Sequence, residues 1–417
     1  MKLLVIGSGM MGSAAAFDMA RQPDVTQVTL ADADIALAKA AVKRISKVLN
    51  KSDAKKLKPV KLDAANYKSA GKLMRGHSAV LSAVPYFFNV GLAKAAIEAR
   101  CHFADLGGNN TVVRKTYELS KSAAKKKVCL APDCGVSPGM ASVLAGELFR
   151  RMTEGDADAK VDALKIYVGG LPEDPKPPFH YQLVFSVNGL INEYVEPARV
   201  LRDGKIQDIE PLTEPEPFTI EGFDPLVGFH TSGGTSTLPE TFKGRVGECF
   251  EKTLRYPAHF TMVRNLYDLG FFSSRPITVP EAELGKGNTG LGKKARTANV
   301  TPRAVTSQVF LDLFTGNEPD VTIMRVEAHK SIPNSEAVGG PGQTRVASFT
   351  VVDRFDRVTN MTSMMRTTAW SASIVVLMMA RGMIMKYGGI YQETDVPAEE
   401  FLRECEWRGI GMKFSSQ

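Results

Sequence analysis

The stretch "KLLVIGSGMMGSAAAFDMA", residues 2–20, constrains the fold of this chain more than any other. A buried strand over Lys2–Ile6 runs into Gly7, Gly9 and Gly12 in G-x-G-x-x-G spacing, and an Ala-rich helix follows. The first glycine permits a tight turn, the second lets a backbone approach a pyrophosphate, and the third allows the helix to pack close to the strand. Met10 and Met11 fall where the helix begins, and the free N–H groups and positive dipole end there suit a phosphate. A second strand, "VTLAD", ends at Asp32, about 20 residues past the last glycine, where an acid can bond both ribose hydroxyls. The same acid would repel a 2′-phosphate, and neither Arg nor Lys occurs between Asp32 and Lys39, so the expected cofactor is NAD.

Further strand–helix units follow at "PVKLDA", "SAVLSAVP", "HFADLG" and "VCLAPDCG". This alternation predicts an α/β fold with a Rossmann-type doubly wound parallel sheet, in which ligands gather at the carboxyl ends of the strands. The strand ends bring Asp63, then Ser82, Val84, Pro85 and Tyr86, then Asp105, Leu106 and Gly107, and finally "DCGVSPG" with Asp133 and Cys134 to one crevice. Asp63 is expected near the adenine, and Ser82, Val84, Pro85, Leu106 and Gly107 along the dinucleotide.

A chain of 417 residues is long for one domain. Residues 1–130 read as the nucleotide domain. Residues 131–358 read as an α+β substrate and dimerisation domain, with strands at "VDALKIYVGGLP", "FHYQLVFSV", "VTIMRVEAH" and "RVASFTVVDRF" and one helix at "AVTSQVFLDLF". Residues 359–417 return to helix and are expected to pack on the first domain. The net charge of +7 resides mostly in lysine-rich helical tracts such as "KSDAKKLK", which argues against a nucleic-acid partner. Five cysteines without a C-x-x-C pair, and a first strand that starts directly after Met1, lead us to expect a cytoplasmic protein. "WSASIVVLMMARGMIM" is interrupted by Arg381 and reads as a buried helix, so no membrane partner is expected. The six histidines show no H-x-x-x-H or H-E-x-x-H grouping, and no metal is expected.

Taken together, "GSGMMG", "AVPYFFN", "FADLGGN", "PDCGVSPGM", "TSGGTSTLPE" (231–240) and "KTLRYPAH" (252–259) resemble the saccharopine dehydrogenase-like superfamily. Within it, the resemblance is greatest to the L-lysine 6-dehydrogenases, and it extends to the "FLRECEWRGI" segment near the carboxyl terminus. Sugar-type oxidoreductases of similar plan show Glu-Lys-Pro after the fourth strand, where this chain has Val84-Pro85-Tyr86. The resemblance implies a homodimer that oxidises the lysine side-chain amine to the 6-semialdehyde with NAD, releasing ammonia; the product cyclises to a piperideine carboxylate. A saccharopine or carboxynorspermidine dehydrogenase acting on a secondary amine is the alternative, and a non-catalytic NAD-binding regulator a third.

Hydride loss from carbon 6 needs an amine lone pair, whereas a lysine ammonium has a pKa of about 10.4. A base or a desolvating pocket must therefore remove a proton first. The candidates are Tyr86, Asp105, Asp133, Cys134 and His259, with Asp105 or Asp133 orienting the amine or moving the proton. A small amino acid would be held by His230, Thr231, Ser232, Arg255 and Tyr256; Arg255 can clamp a carboxylate in bidentate fashion, and the Gly-flanked Thr231–Ser232 turn offers amides and hydroxyls.

Overall fold

The computed structural model describes residues 1–156, 158–280, 297–316, 318–332 and 343–417. The first sheet is built from β1 (Lys2–Ile6), β2 (Gln27–Asp32), β3 (Leu57–Lys61), β4 (Ala79–Ser82), β5 (His102–Asp105) and β6 (Cys129–Ala131). All pairings are parallel and the spatial order is β6-β5-β4-β1-β2-β3, so the order reverses between β1 and β4. Leu3 to Ile6 are buried without interruption, as expected of a strand covered on both faces. Beyond β6 the sheet gains two residues not anticipated from the sequence, Gly388–Gly389, delivered by the returning carboxyl-terminal segment.

The second sheet is mixed. Its longest strands are β7 (Val161–Pro172), Val246–Arg255, Asp320–Ile332 and Gln343–Arg354. β7 pairs in parallel with Val246–Arg255 and antiparallel with Asp320–Ile332. The fold is thus α/β overall, a parallel nucleotide-type sheet beside a mixed one. Among the described residues, no helix is long and apolar enough to cross a membrane.

Two expectations change. "FHYQLVFSV" does not form a strand: Phe179 to Ser186 are irregular, with a single bridge from Leu183 to Thr315, and a helix begins at Val187. The physical reason is burial among rings rather than beside a strand. Phe179 stacks on Phe314 with centroids 4.2 Å apart and meets the His259 ring at 4.5 Å, so the apolar positions serve helix Pro302–Phe314 instead of a ladder. The helix expected after "VCLAPDCG" starts only at Ala141, because Ser137, Pro138 and Gly139 are non-helical and Gly139 has φ +119°.

The return of the carboxyl-terminal segment is observed. Helix Trp370–Ala380 lies against helix Met10–Ala20, and Trp370 stacks on Phe17 with centroids 6.3 Å apart. Arg408 and Asp18, both fully buried, pair at 2.9 Å; Ser373 Oγ also donates to Asp18 at 2.6 Å. The chain then ends as strand Met412–Ser416 on the second sheet, so one segment ties both sheets together. Arg21 also pairs with Asp18, at 2.8 Å, so loss of Arg408 removes one charge-assisted bond without stranding the acid. Arg408→Ala is expected to lower the unfolding free energy by about 1.5–3 kcal/mol in chemical denaturation.

Candidate active site

The glycine turn has the shape its spacing requires. Gly7 sits at φ +101°, donates its amide to Ala31 O at 2.8 Å, and would place a Cβ 2.5 Å from Ala83 O. A Cβ on Gly12 would stand 1.8 Å from Gly7 O. Gly9 precedes helix Met10–Ala20, whose first turn carries no acidic residue and no side-chain cap, so its amides are left for a ligand. Gly9, Met10 and Met11 line a cleft of about 1070 Å³ that runs from this turn to the second sheet. The bare turn, the open helix end and the cleft fit the pyrophosphate of a nicotinamide dinucleotide.

Asp32 closes β2 beside that turn. Its Oδ2 accepts the Ser8 amide at 2.9 Å and the Ser8 hydroxyl at 2.6 Å, and its Oδ1 accepts the Asp34 amide at 3.1 Å. Burial alone would raise its pKa, but these donors outweigh burial and hold it below the ordinary carboxylate value. An ionised carboxylate therefore stands beside the glycine turn at the end of β2. Val84, Pro85, Tyr86, Leu106 and Gly107 line the same cleft. Ser82 does not: its hydroxyl is buried and donates to Asn89 Oδ1 at 2.7 Å, which ties β4 to the next helix. Asp63 is exposed, and its carboxylate accepts the Ala65 amide at 2.9 Å as a turn cap.

The two aspartates at the ends of β5 and β6 have different jobs. Asp105 is buried and does not line the cleft; its Oδ1 accepts the Gly107 amide at 2.8 Å and the Asp133 amide at 3.1 Å. Burial pushes its pKa up to about 6. Asp133 does line the cleft, at φ +60°, and its Oδ2 accepts the Ser236 hydroxyl at 2.5 Å from the second-sheet side. Burial, with the neighbouring Asp105 and Glu393 adding to it against the Ser236 bond, pushes Asp133 up to about 7. Gly107 makes this placement possible, since a Cβ there would lie 2.0 Å from Asp133 Oδ1.

Five of the expected catalytic and substrate-binding residues stand away from the cleft or have their polar atoms engaged. Cys134 is fully buried; its thiol donates to Ala131 O at 3.1 Å and burial raises its pKa well above the usual thiol value. His259 is fully buried between Phe179 O and the Tyr194 hydroxyl, each at 2.9 Å, and burial with the nearby Arg255 lowers its pKa to about 3. It is a neutral structural histidine. Tyr256 donates its hydroxyl to Pro172 O at 3.1 Å. His230 is 1% exposed and faces Glu214 at 3.2 Å. With Asp105 they correct the sequence reading: a polar side chain near a strand end can point into the core, where it must be hydrogen-bonded.

Thr231, Ser232 and Arg255 do line the cleft, and so do residues the sequence reading missed. Glu193, on helix Val187–Val195, faces Arg255 with 3.9 Å between Oε2 and Nη2. Glu251 and Thr253 precede Arg255 on the same strand, at alternating positions that share one face. Reading back from Arg255 in steps of two was the signal for Glu251. Arg303 donates to Asn192 Oδ1 at 2.6 Å and completes that wall.

Comparison with known proteins agrees with the two-part fold. Residues 3–130 match the saccharopine dehydrogenase NADP binding domain, and residues 135–410 match the saccharopine dehydrogenase C-terminal domain. Saccharopine dehydrogenase [NADP(+), L-glutamate-forming] of Saccharomyces cerevisiae is 23% identical over 292 residues, 67% of this chain and 62% of that protein. Mitochondrial alpha-aminoadipic semialdehyde synthase of Mus musculus is 26% identical over 211 residues, 50% of this chain and 21% of that protein. The matched region thus spans about three fifths of the yeast relative and a fifth of the mouse one. The apo structure of the Saccharomyces cerevisiae L-Glu-forming saccharopine dehydrogenase has the same fold, with a TM-score of 0.75 and 21% identity over 100% of this chain and 99% of that one.

A thiol without solvent access and with a raised pKa cannot present a thiolate. Iodoacetamide treatment of the native protein is expected to leave Cys134 unmodified by peptide mass spectrometry, with alkylation appearing only after denaturation.

Proposed function

The chain belongs to the saccharopine dehydrogenase family, and from that premise we propose that it is an NAD-dependent oxidoreductase that oxidises L-lysine at carbon 6. The observation that carries the proposal is the charge of the cleft. Asp133, Glu193, Glu196 and Glu251 face it, against the guanidinium groups of Arg255 and Arg303. An excess of carboxylates suits a substrate with two ammonium groups and one carboxylate. Saccharopine, with three carboxylates, would meet repulsion on the same wall. The name of the yeast relative favours saccharopine as a second reading, and carboxynorspermidine shares lysine's cationic character.

A bound nicotinamide ring supplies the hydride acceptor. The side chains of this chain do the rest. Arg255 pairs with the substrate carboxylate, and its planar fork suits two parallel hydrogen bonds. Asp133 stands where the nucleotide wall meets the second sheet and takes a proton from the side-chain ammonium, exposing the lone pair that drives hydride off carbon 6. Ser236, donating to Asp133 Oδ2, positions that carboxylate. Water then adds to the imine, Asp133 again moves the proton, and ammonia leaves. The aldehyde condenses with the α-amine to close the ring. The net change is lysine, NAD⁺ and water to semialdehyde, NADH, ammonium and a proton.

Cofactor choice follows from Asp32. Its ionised carboxylate supports two ribose hydroxyls and opposes a 2′-phosphate. The similarity to an NADP-dependent enzyme makes this the finer point to test. Asp32→Ala is expected to weaken NAD binding at least about tenfold while leaving NADP binding the same or tighter, measured by fluorescence titration of both cofactors. An unchanged preference would remove Asp32 from cofactor selection.

The proton acceptor must be ionised to act, so its raised pKa sets the sign of the pH dependence. With L-lysine and NAD, kcat is expected to rise with pH through about 7, the value to which burial and Asp105 push Asp133. Asp133→Asn is expected to lower kcat about 100-fold or more and abolish that rise, followed by NADH absorbance. NADH formation from saccharopine but not lysine would favour the second reading.

A further inference from the structure

The second-sheet wall of the cleft holds an unbalanced set of charges that the proton-transfer step does not use. Glu251 is 3% exposed and meets only hydroxyls, with Thr253 Oγ1 at 3.2 Å and Thr231 Oγ1 at 3.4 Å. Glu193 faces it from helix Val187–Val195. Its cationic neighbour among the described residues, Arg255, is 3.9 Å away, beyond hydrogen-bond range. Burial, with Glu193 next, pushes Glu251 up to about 8; burial, offset in part by Arg255, pushes Glu193 up to about 7.

Arg255 is equally short of a partner. It is 3% exposed and lies over the Tyr181 ring at 4.8 Å; Nη1 donates to Leu254 O, while Nε is buried without an acceptor. The surface beside these groups is bare. A Cβ on Gly234 would stand 2.5 Å from the Glu251 carboxylate, so the turn there must be glycine for Glu251 to keep its place. Two carboxylates set against one guanidinium, with no hydrogen-bonded ion pair among the three, on one face of one cleft, are the complement of an ammonium and a carboxylate on adjacent atoms.

We infer that Glu251 and Glu193 form the recognition site for the α-ammonium of a diamino acid, beside the carboxylate site at Arg255, and so select α-amino acids over simple amines. The inference rests on the proposed lysine reading for the identity of the ligand. It assigns Glu251 and Glu193 to specificity and leaves proton transfer to Asp133. A bound ammonium also supplies the cation that lets both carboxylates ionise in their buried setting.

Binding without turnover separates this inference from the reaction. Calorimetric titration of the NADH-loaded protein, in which the bound ring can accept no hydride, compares L-lysine with 6-aminohexanoate, which keeps the carboxylate and the terminal amine but lacks the α-amine. The wild-type protein is expected to bind L-lysine at least about tenfold more tightly, the effect of one charge-assisted hydrogen-bonding site. In Glu251→Gln and in Glu193→Gln the preference is expected to fall to threefold or less, about a single weak contact. Glu193 is only partly buried, so its variant carries the test if Glu251→Gln does not fold. Equal affinity for the two ligands in the wild-type protein, absence of lysine binding, or a preference unchanged in the folded variants would overturn the inference. A lost preference in the variants, together with no NADH formation from lysine by the wild-type protein, would uphold this site and refute the dehydrogenase reading.

Discussion

One carboxylate holds the site in shape. Asp105 Oδ1 accepts the amides of Gly107 and Asp133, at 2.8 and 3.1 Å, while its carbonyl accepts the Cys134 amide at 2.8 Å. The ladder between β5 and β6 stops at Ala104 and Ala131, so these three bonds continue the pairing past the ends of the strands. They fix Asp133 at φ +60°, a conformation uncommon for a residue with a side chain, and turn its carboxylate over Gly107 into the cleft. Gly139 then doubles the chain back so tightly that a Cβ there would lie 2.7 Å from the Cys134 carbonyl carbon. The acid and thiol of "DCGVSPG" are thereby separated in role: the acid faces the ligand, the thiol fills the core.

This bracket matters because it meets the second sheet. Ser236 reaches Asp133 from the Gly233–Gly234 turn, and Ser137 Oγ donates to Gly234 O at 3.3 Å. The nucleotide wall and the acidic wall are therefore linked at the point where a hydride acceptor and an amine would meet. Farther off, the Arg408–Asp18 pair and the final strand bind the carboxyl-terminal segment to both sheets. That double attachment limits how far the walls can separate, which is what a reaction needing a carbon close to a nicotinamide ring requires.

The glycine turn, the parallel sheet and the acid at Asp32 were legible in the sequence because each depends on local spacing: tight turns need glycine, and buried parallel strands need unbroken apolar runs. Asp133 was legible as an acid at a strand end, and Arg255 as a cation able to clamp a carboxylate. The direction of their neighbours was not. Cys134 follows Asp133 by one residue but turns into the core, because the chain bends at the left-handed φ of Asp133; Tyr256 follows Arg255 and faces the opposite way, as alternation along extended chain demands. His259 shows the other limit. Its partners, Phe179 O and Tyr194, are 80 and 65 residues away, so only the folded chain shows that both ring nitrogens are spent. Glu193 lies on a helix whose approach to Arg255 depends on the irregular Phe179–Ser186 segment, which the sequence pattern presented as a strand.

The central claim is an orientation: the terminal amine of the substrate lies at Asp133 against the nucleotide wall, and the amino-acid end lies at Arg255 on the second-sheet wall. Isotope transfer reads that orientation directly. With lysine deuterated at carbon 6 the account expects deuterium in the NADH formed, seen by proton NMR of the nicotinamide ring, and none from lysine deuterated at carbon 2. Label arriving from carbon 2 would mean that the substrate lies the other way round in the cleft and would contradict the account.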